Sequence, residues 1–263
     1  MSWIKGLLIN FQFFTSIPIP ISLPMDKAHL EKAIQTFPLL GLVQGGIYAF
    51  IVFALSEWTP FSSLAIAFIV WLACIIITGG IHLDGWMDAS DAFFSYQEKE
   101  KRLEIMSDPR TGAFGVLSVI ILLAGKFFFI YEIIIMQTPQ SYFLIALIPF
   151  FGKMVMGVLL LKGKTAKKSG LGTLFKGAAN KWTLTVYPLF LLLLLIFTGI
   201  VFSNAFLGML VFIVVSSLIL TLLIKKTISW FGGTTGDVLG ASVEGTELLL
   251  WMTLWLLHYF AMG

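Results

Sequence analysis

Three aspartates and a histidine stand within ten residues of a chain in which only 12% of the residues are charged. Asp84, Asp88 and Asp91 follow an apolar stretch that ends at residue 78. Because an α-helix turns about 100° per residue, this spacing places the three carboxylates within roughly 60° of one another. Like charges so placed destabilise a helix, and a divalent cation removes the repulsion. The pattern predicts a catalytic site for Mg²⁺ or Mn²⁺ rather than only an acidic helix start.

His82 precedes these aspartates by two residues. An imidazole titrates near neutrality and can act as a general base or as a metal ligand. On a regular helix its side chain points away from the three carboxylates. It joins them only if the glycines at 79, 80 and 85 break the helical geometry. A catalytic role for His82 and a structural one are both open on the sequence.

A second acidic segment begins the last apolar stretch. Asp237 and Glu244 are seven residues apart and share a helix face, with Glu247 about 60° to the side. Carboxylates inside a membrane are costly unless they pair with a cation. We predict that Asp237 completes the metal and catalytic site and that Glu244 binds substrate. The alternative is that Glu244 and Glu247 form ion pairs with Lys153 or Lys225.

Glycine-rich and basic segments have the composition of phosphate sites. The turn 232–236 precedes Asp237, and glycines let backbone N–H groups approach an anion at a helix start. The guanidinium of Arg110 can bind an oxyanion with two N–H groups. The loop 162–181 carries six lysines, including Lys167 and Lys168, which either attract a phosphorylated substrate or only fix the topology. The predicted phosphate contacts are therefore Arg110 and, in the turn, Gly233, Thr234, Thr235 and Gly236.

The composition is that of an integral membrane protein, because 58% of the 263 residues are hydrophobic and soluble domains are usually about 25% charged. We expect an all-α, polytopic helix bundle that forms one membrane domain over residues 1–263. Helical spacing of aromatic residues before Pro18 indicates an interfacial or re-entrant helix over residues 3–16. Seven stretches of about 20 residues are long enough to cross a bilayer. They cover residues 37–56, 60–78, 112–131, 140–161, 183–202, 205–224 and 238–260.

Basic residues are distributed unevenly between the connections. Fifteen of the 17 lysines and arginines fall on one side of the predicted spans, and the connections near 57–59, 132–139 and 203–204 contain none. The positive-inside rule makes the basic side cytoplasmic, so we expect a multi-pass protein of the cytoplasmic (inner) membrane with a cytoplasmic N-terminus. We expect the lipid bilayer as a partner and no nucleic acid, and the sequence leaves a homo-oligomer open.

The other two lysines, Lys126 and Lys153, lie inside apolar stretches. Lys126 is a few residues from the outer end of its span, and we expect its side chain to extend to the membrane surface. Lys153 lies deeper, where an ammonium costs a few kcal/mol and usually meets a partner or a polar cavity. We predict that Lys153 is ion-paired or binds substrate.

Residues 78–91 resemble the signature of the adenosylcobinamide-GDP ribazoletransferase, or cobalamin synthase, family. Further stretches agree in the same order, and these cover residues 11–20, 37–41, 102–112 and 236–241, the last together with Glu244 and Glu247. The resemblance implies a polytopic inner-membrane enzyme that joins adenosylcobinamide-GDP to α-ribazole or its phosphate, releases GMP and needs Mg²⁺. It implies the metal and diphosphate site at Asp84, Asp88, Asp91 and Asp237.

The same resemblance implies phosphate contacts at Arg110 and in the turn 232–236. Pro109 stands where we expect a serine in the family pattern, so a hydroxyl contact is missing there while Arg110 is kept.

Two other function classes compete with this interpretation. Membrane transferases of the CDP-alcohol phosphotransferase or polyprenyl-transferase kind also use aspartates on helices near the cytoplasmic face. The Asp-Gly-x-x-Ala-Arg core of the first and the Asn-x-x-x-Asp-x-x-x-Asp core of the second are missing here. A cation-coupled transporter would hold its acidic site near the midplane of the membrane. In this sequence the carboxylates cluster at one face and no internal repeat is visible.

Overall fold

The structure, a computed structural model, describes residues 2–167 and 169–262, so Lys168 of the lysine-rich loop lies outside the described residues. Apart from one bridge between Thr165 and Thr234, no residue in these two ranges is assigned to β-structure. The expected all-α class is therefore confirmed. The α-helices are α1 (Ser2–Phe14), α2 (Lys27–Trp58), α3 (Ser63–Thr78), α4 (Ile81–Phe94), α5 (Lys99–Ile105), α6 (Ala113–Ile135), α7 (Pro139–Lys162), α8 (Leu171–Ala178), α9 (Val186–Val201), α10 (Phe206–Phe231) and α11 (Gly236–Leu257).

A pair of glycines separates the predicted second span from the aspartate helix. Gly79 (φ 63°) and Gly80 (φ 75°) both adopt the left-handed conformation, which glycine reaches without steric cost. Helix α3 ends there, and α4 leaves at an angle of 86° to it. The bend turns the aspartates across the end of the bundle instead of along the direction of α3.

Each predicted span corresponds to a helix, namely α2, α3, α6, α7, α9, α10 and α11. Within the part of the chain that the structure describes, five helical segments are long and apolar enough to cross a membrane, and the bent pair α3–α4 adds a sixth if it counts as one span. Helix α11, which carries Asp237, Glu244 and Glu247, is not among them. The multi-pass character is thus supported, while the count of seven stays a prediction. Helix α1 confirms the predicted N-terminal helix, and its position relative to the membrane stays a prediction.

Contacts between connections collect the basic segments at one end of the bundle, which we call the basic end. Arg102 donates from Nη1 to the carbonyl of Trp230 at 3.1 Å, which joins the connection after α4 to the end of α10. The Thr165–Thr234 bridge joins the lysine-rich loop to the turn before α11. Glu31, at the start of α2, accepts from Nδ2 of Asn180 at 2.7 Å.

The connections without lysine or arginine meet at the opposite end. Ser56, near the end of α2, accepts a hydrogen bond from Nε2 of Gln137 at 3.1 Å. Phe143, near the start of α7, stacks on Phe202 after α9, with ring centroids 4.7 Å apart. The uneven distribution of basic residues in the sequence therefore corresponds to two separate ends of the fold.

Helix α7 occupies the centre of the bundle. In its most apolar stretch 78% of the residues are buried, against 11–33% in the other segments of similar character. Gly41 and Gly45 of α2 face the carbonyls of Pro149 and Ala146, and a methyl group at either glycine would collide with them. The two helices therefore pack at the short distance that small residues permit in membrane proteins.

A buried ion pair connects α6 to α11. Nζ of Lys126 lies 2.7 Å from Oε2 of Glu244 and 3.4 Å from Oε2 of Glu247, and all three residues are less than 5% exposed. The expectation that Lys126 extends to the membrane surface is wrong. So is the expectation that Lys153 or Lys225 forms this pair. The ammonium of Lys126 turns inward because two carboxylates in the apolar interior hold it there.

Candidate active site

Helices α4 and α11 touch backbone to backbone at two glycines. A methyl group on Gly85 would lie 2.7 Å from the carbonyl oxygen of Asp237, and one on Gly240 would lie 3.3 Å from Cα of His82. Only a residue without a side chain fits at the first position without moving the backbone. This contact brings the aspartate helix to the first turn of α11, so the two acidic segments of the sequence form one cluster.

Negative charge accumulates in this cluster, which lies at the basic end and outside the predicted spans. Asp88 shows this most clearly, because partial burial and the nearby carboxylates of Asp84, Asp237 and Asp91, in that order of importance, together raise its pKa from 3.8 to about 6. Lys167 acts in the opposite direction. The predicted grouping of Asp84 and Asp88 with Asp237 is present in the structure, and their catalytic and metal-binding roles stay predictions.

Asp91 has a structural task at the same time. Its Oδ2 accepts from the backbone N–H of Gly112 at 2.6 Å and its Oδ1 from that of Gly115 at 2.8 Å. These N–H groups belong to the start of α6, which therefore receives a carboxylate cap from another helix. Each carboxylate oxygen has a second lone pair, so the predicted metal role of Asp91 is compatible with the cap.

The described residues contain no group of three His, Cys, Asp or Glu side chains that converge as a preformed metal site. Mg²⁺ usually needs no such cage, since one or two carboxylates, waters and substrate phosphates complete its octahedral shell. The unneutralised charge around Asp88 and the all-oxygen donor set fit this mode of binding.

The turn before α11 is held by the lysine-rich loop. Thr234 donates its N–H to the carbonyl of Lys164 at 2.6 Å and accepts from the N–H of Ala166 at 3.0 Å. Thr235 caps α11 by accepting from the N–H of Val238, and its hydroxyl lies 3.3 Å from Oδ2 of Asp237. The backbone N–H of Thr234 is therefore already bonded within the protein.

Two glycines in this turn have distinct tasks. Gly233 adopts φ 153°, and a methyl group there would collide with the carbonyl of Lys164. Gly236 is exposed, and a methyl group on it would meet nothing within 4 Å. The start of α11 at Gly236 is thus the part of the turn that is open to a ligand.

Among the lysines of the loop that the structure describes, Lys167 reaches the acidic cluster. Nζ of Lys167 lies 3.6 Å from Oδ2 of Asp237, and both side chains are about a third exposed. Lys176, on α8, donates from Nζ to the carbonyl of Gly163. The loop therefore does more than set the topology, since it places positive charge beside the carboxylates.

Arg110 lies in the connection between α5 and α6. Its guanidinium donates from Nε and Nη2 to Asp108 at 2.9 and 2.6 Å, and this pair holds the pKa of Asp108 at about 2. The side chain of Arg110 is 87% exposed. It stands two residues before Gly112, which binds Asp91, so it borders the cluster without contacting it.

His82 and Lys153 contact each other rather than the aspartates. Nζ of Lys153 lies 2.7 Å from Nε2 of His82, and both residues are buried. The imidazole stacks on Phe14 with a centroid distance of 5.8 Å and an interplanar angle of 14°. The predicted partner of Lys153 is thus an imidazole. The substrate-binding roles of Lys153 and Glu244 and the catalytic role of His82 stay predictions.

Two adjoining cavities border the acidic cluster, and Gly236 and Asp237 line both. The first has a volume of about 160 Å³ and is walled by Phe14, Phe37 and Phe175 together with His82 and Asp84. The second has a volume of about 220 Å³, and its polar lining residues are Thr165, Lys167, Ser169, Thr173, Lys176, Thr234 and Thr235. The sequence reasoning assigned no site role to the three phenylalanines. The positions of Phe14 and Phe37 in two of the family-like stretches were the available signal.

Comparison with known proteins gives one consistent result. Relatives named adenosylcobinamide-GDP ribazoletransferase include proteins of Geobacillus sp. (strain WCH70), 39% identical over 98% of both chains, and of Geobacillus thermodenitrificans, 40% identical over 98% of both. A third, from Listeria welshimeri, is 36% identical over 93% of this chain and 95% of its own. No solved structure matches. The family model described as cobalamin-5-phosphate synthase matches residues 6–255, and the chain belongs to that family.

Proposed function

We propose that this chain is a membrane transferase that joins adenosylcobinamide-GDP to α-ribazole or α-ribazole phosphate and releases GMP. The names of its relatives support these substrates. One observation carries the proposal: the contact of Gly85 with Asp237 gathers four carboxylates beside Lys167 and two cavities of different chemical character. A phosphoryl-transfer site needs such a combination of anionic metal ligands and cationic phosphate contacts.

The reaction exchanges a phosphoanhydride bond for a phosphoester bond. A ribose hydroxyl oxygen of the acceptor forms a bond to the phosphorus that carries the cobinamide. The bond from that phosphorus to the bridging oxygen breaks, and GMP leaves with this oxygen and its electron pair. The hydroxyl proton passes to a carboxylate of the cluster or to water. No covalent bond to the protein is required, so the main task of the chain is to place the two substrates in line.

The carboxylates of Asp84, Asp88 and Asp237 are the residues that would hold Mg²⁺, with Asp91 anchored beside them at the start of α6. When bound, Mg²⁺ neutralises negative charge on the phosphates and on the leaving group. Burial and the neighbouring carboxylates raise the pKa of Asp88, and the negative charge of these neighbours supports this assignment.

Positive groups at the basic end bind the diphosphate of the nucleotide-linked substrate. Lys167 stands nearest the cluster, and the exposed start of α11 at Gly236 offers N–H groups at the positive end of a helix. Arg110 is exposed and can release Asp108 to reach a phosphate, because a surface ion pair contributes little. These contacts hold the phosphorus near the acceptor hydroxyl and stabilise the negative charge that develops on GMP as it leaves.

We also propose that the protein lies in the cytoplasmic membrane with the basic end toward the cytoplasm. The uneven distribution of lysines and arginines supports this orientation. A labelling experiment on single-cysteine variants tests it. Replacement of Cys74 by alanine and introduction of a cysteine at Lys99 should give labelling only from the cytoplasmic side. A cysteine at Glu57 should react only from the other side, and the reverse pattern would overturn the orientation.

The function itself is tested with purified protein in detergent. GMP release from adenosylcobinamide-GDP should require both α-ribazole and a divalent cation, and Asp88→Asn should reduce it about a hundredfold or more. Asp26→Asn is the matched control, because Asp26 caps α2 and contacts the imidazole of His29 at the protein surface. Turnover that persists in EDTA would remove the metal from the mechanism. Asp84→Asn decides against a cation-coupled transporter if it abolishes turnover while the protein remains inserted.

A further inference from the structure

Three phenylalanine rings that pack on one another form an aromatic wall of the cavity of about 160 Å³. Phe14 comes from α1, Phe37 from α2 and Phe175 from α8, so three separate helices supply its rings. The centroids of Phe14 and Phe37 are 5.5 Å apart at an interplanar angle of 87°, and those of Phe37 and Phe175 are 5.8 Å apart. Phe37 and Phe175 are no more than 2% exposed. The walls are therefore fixed by packing rather than free to rotate.

The size of this cavity limits what it can hold. A protein cavity of about 150 Å³ lined by apolar side chains binds a single benzene molecule. The cavity here is of similar volume and is lined in part by Asp84 and Asp237, so it suits one flat aromatic ring system and is far too small for a corrinoid. Aromatic side chains at right angles to one another contact such a ring by both edge and face.

The neighbouring cavity has the opposite chemistry. Lys167, Lys176, Ser169 and Thr173 line it, and it shares Gly236 and Asp237 with the aromatic cavity. Cationic and hydroxyl groups of this kind bind phosphate oxygens. An apolar ring bound in the first cavity and a phosphate bound in the second would therefore lie on either side of the carboxylate of Asp237.

We propose that the aromatic cavity binds the benzimidazole base of α-ribazole and that the lysine-lined cavity binds the phosphates of the nucleotide-linked substrate. This assignment rests on the proposed function and specifies where each substrate lies. The ribose of the acceptor then stands at the shared wall, beside Asp84 and Asp237. Its hydroxyl faces the phosphorus in the second cavity, and the bond that forms lies between the two cavities.

The competing occupant of the aromatic cavity is the guanine of the other substrate. Guanine carries donors and acceptors along most of its edge, and burial without partners costs each of them its hydrogen bonds to water. The polar side chains that line the cavity are His82, whose Nε2 is already engaged by Lys153, and Asp84 and Asp237, whose carboxylates the proposed function commits to Mg²⁺. Dimethylbenzimidazole has two methyl groups and one ring-nitrogen acceptor when joined to ribose, so it loses far less in this cavity.

The test measures binding of free α-ribazole to the purified full-length protein by equilibrium dialysis. Phe175→Leu removes one aromatic wall and keeps an apolar residue of similar size. We expect it to weaken α-ribazole binding about tenfold, since small changes in an apolar pocket alter affinity by that order. Binding of free 5,6-dimethylbenzimidazole should be weakened to the same extent. Phe212→Leu, at an equally buried phenylalanine in the main core, is the matched control and should leave both unchanged.

A second pair of variants keeps the test decisive if Phe175→Leu fails to fold. Phe14→Leu alters the same cavity from a half-buried position on α1 and should give the same loss. Lys167→Gln should raise the KM for adenosylcobinamide-GDP about tenfold and leave α-ribazole binding within about twofold. A rise in the KM for adenosylcobinamide-GDP in Phe14→Leu with unchanged α-ribazole binding would overturn the assignment in favour of guanine. GMP release by the wild-type protein reads the proposed function separately.

Discussion

The carbonyl oxygen of Asp237 lies only 2.7 Å from the position that a methyl group on Gly85 would occupy. Because the two backbones touch at this point, the contact sets how closely the aspartate helix approaches the first turn of α11. The geometry of the acidic cluster is thus set by the absence of one carbon atom.

Gly85→Ala should therefore separate the two acidic segments. The added methyl group forces α4 and α11 apart, which typically costs about 1–3 kcal/mol of stability, and a displacement of about 1 Å at a catalytic site can cost roughly a hundredfold in rate. Thermal unfolding and GMP release measure the two effects. Gly46→Ala on α2 is the control, because its methyl group meets nothing and should stabilise the helix by up to about 1 kcal/mol. Full activity in Gly85→Ala would contradict the role of this contact.

The pKa of Asp88 predicts how the metal-free protein responds to pH. Because its pKa is raised from 3.8 to about 6, the folded protein binds a proton in this interval that the unfolded chain does not. Stability in EDTA should therefore fall as the pH rises from about 4 through about 6 and stay low above it. Melting temperatures across this range measure the trend, and Asp88→Asn should flatten it. A stability that rises with pH in the wild type and not in Asp88→Asn would contradict the assignment.

Asp91→Asn should lower the stability of the protein at a pH at which Asp88→Asn raises it. The amide of the variant would keep one oxygen for the N–H groups of Gly112 and Gly115 and lose the negative charge at the start of α6, so about 0.5–2 kcal/mol should be lost. In EDTA at about pH 8, where the Asp88 carboxyl is ionised, Asp88→Asn should raise the melting temperature while Asp91→Asn lowers it. Equal shifts in the same direction would mean that the two carboxylates do not differ in structural role.

His82 can be tested through its contact with Lys153. Glutamine offers an oxygen that can accept from the ammonium, whereas leucine leaves a buried charge without this acceptor, so His82→Gln should fold and His82→Leu should be unstable. We expect His82→Gln to keep kcat within about tenfold of the wild type, whereas the loss of a general acid–base group costs roughly a hundredfold or more. A larger loss of kcat with normal folding, together with a lost limb of the pH–rate profile, would instead make His82 the base.

Lys126 is expected to stabilise the fold mainly because its ammonium neutralises two buried carboxylates. Lys126→Met leaves Glu244 and Glu247 unpaired in the interior, and removal of one partner of a buried pair costs about 3–5 kcal/mol. The double variant Lys126→Met with Glu244→Gln should recover part of this loss, as thermal unfolding can show. Lys225→Met, at an exposed lysine of α10, is the matched control. A double variant less stable than Lys126→Met would contradict the pairing.

The sequence predicted much of this site because its signals are local. The spacing of Asp84, Asp88 and Asp91 follows from helix geometry, and the glycines at 79 and 80 mark the bend that starts α4. Spacing gives a direction from the helix axis, however, and does not say what lies there. That Asp91 meets the start of α6 depends on two glycines more than 20 residues away, whose N–H groups find no acceptor within their own helix.

The partner of Lys126 could not be predicted for a related reason. Position in a stretch gives the depth of a residue along its own helix, and Lys153 lies at about the same distance from the basic end as Glu247. The choice between Lys126 and Lys153 depends on which faces of α6 and α7 turn toward α11. The aromatic cavity is a similar case, because Phe14, Phe37 and Phe175 come together only when three helices pack.

The separation of Lys126 from its partners has a consequence for biosynthesis. Glu244 follows Lys126 by 118 residues, so at roughly 5–20 residues per second the ribosome needs about 6–24 s to complete the distance. During that interval α6 is already made and its ammonium has no carboxylate from α11. The newly made chain must therefore keep α6 near water, or shielded by the insertion machinery, until α11 arrives. The ion pair that holds Lys126 in the interior can thus form only after α11 has been made.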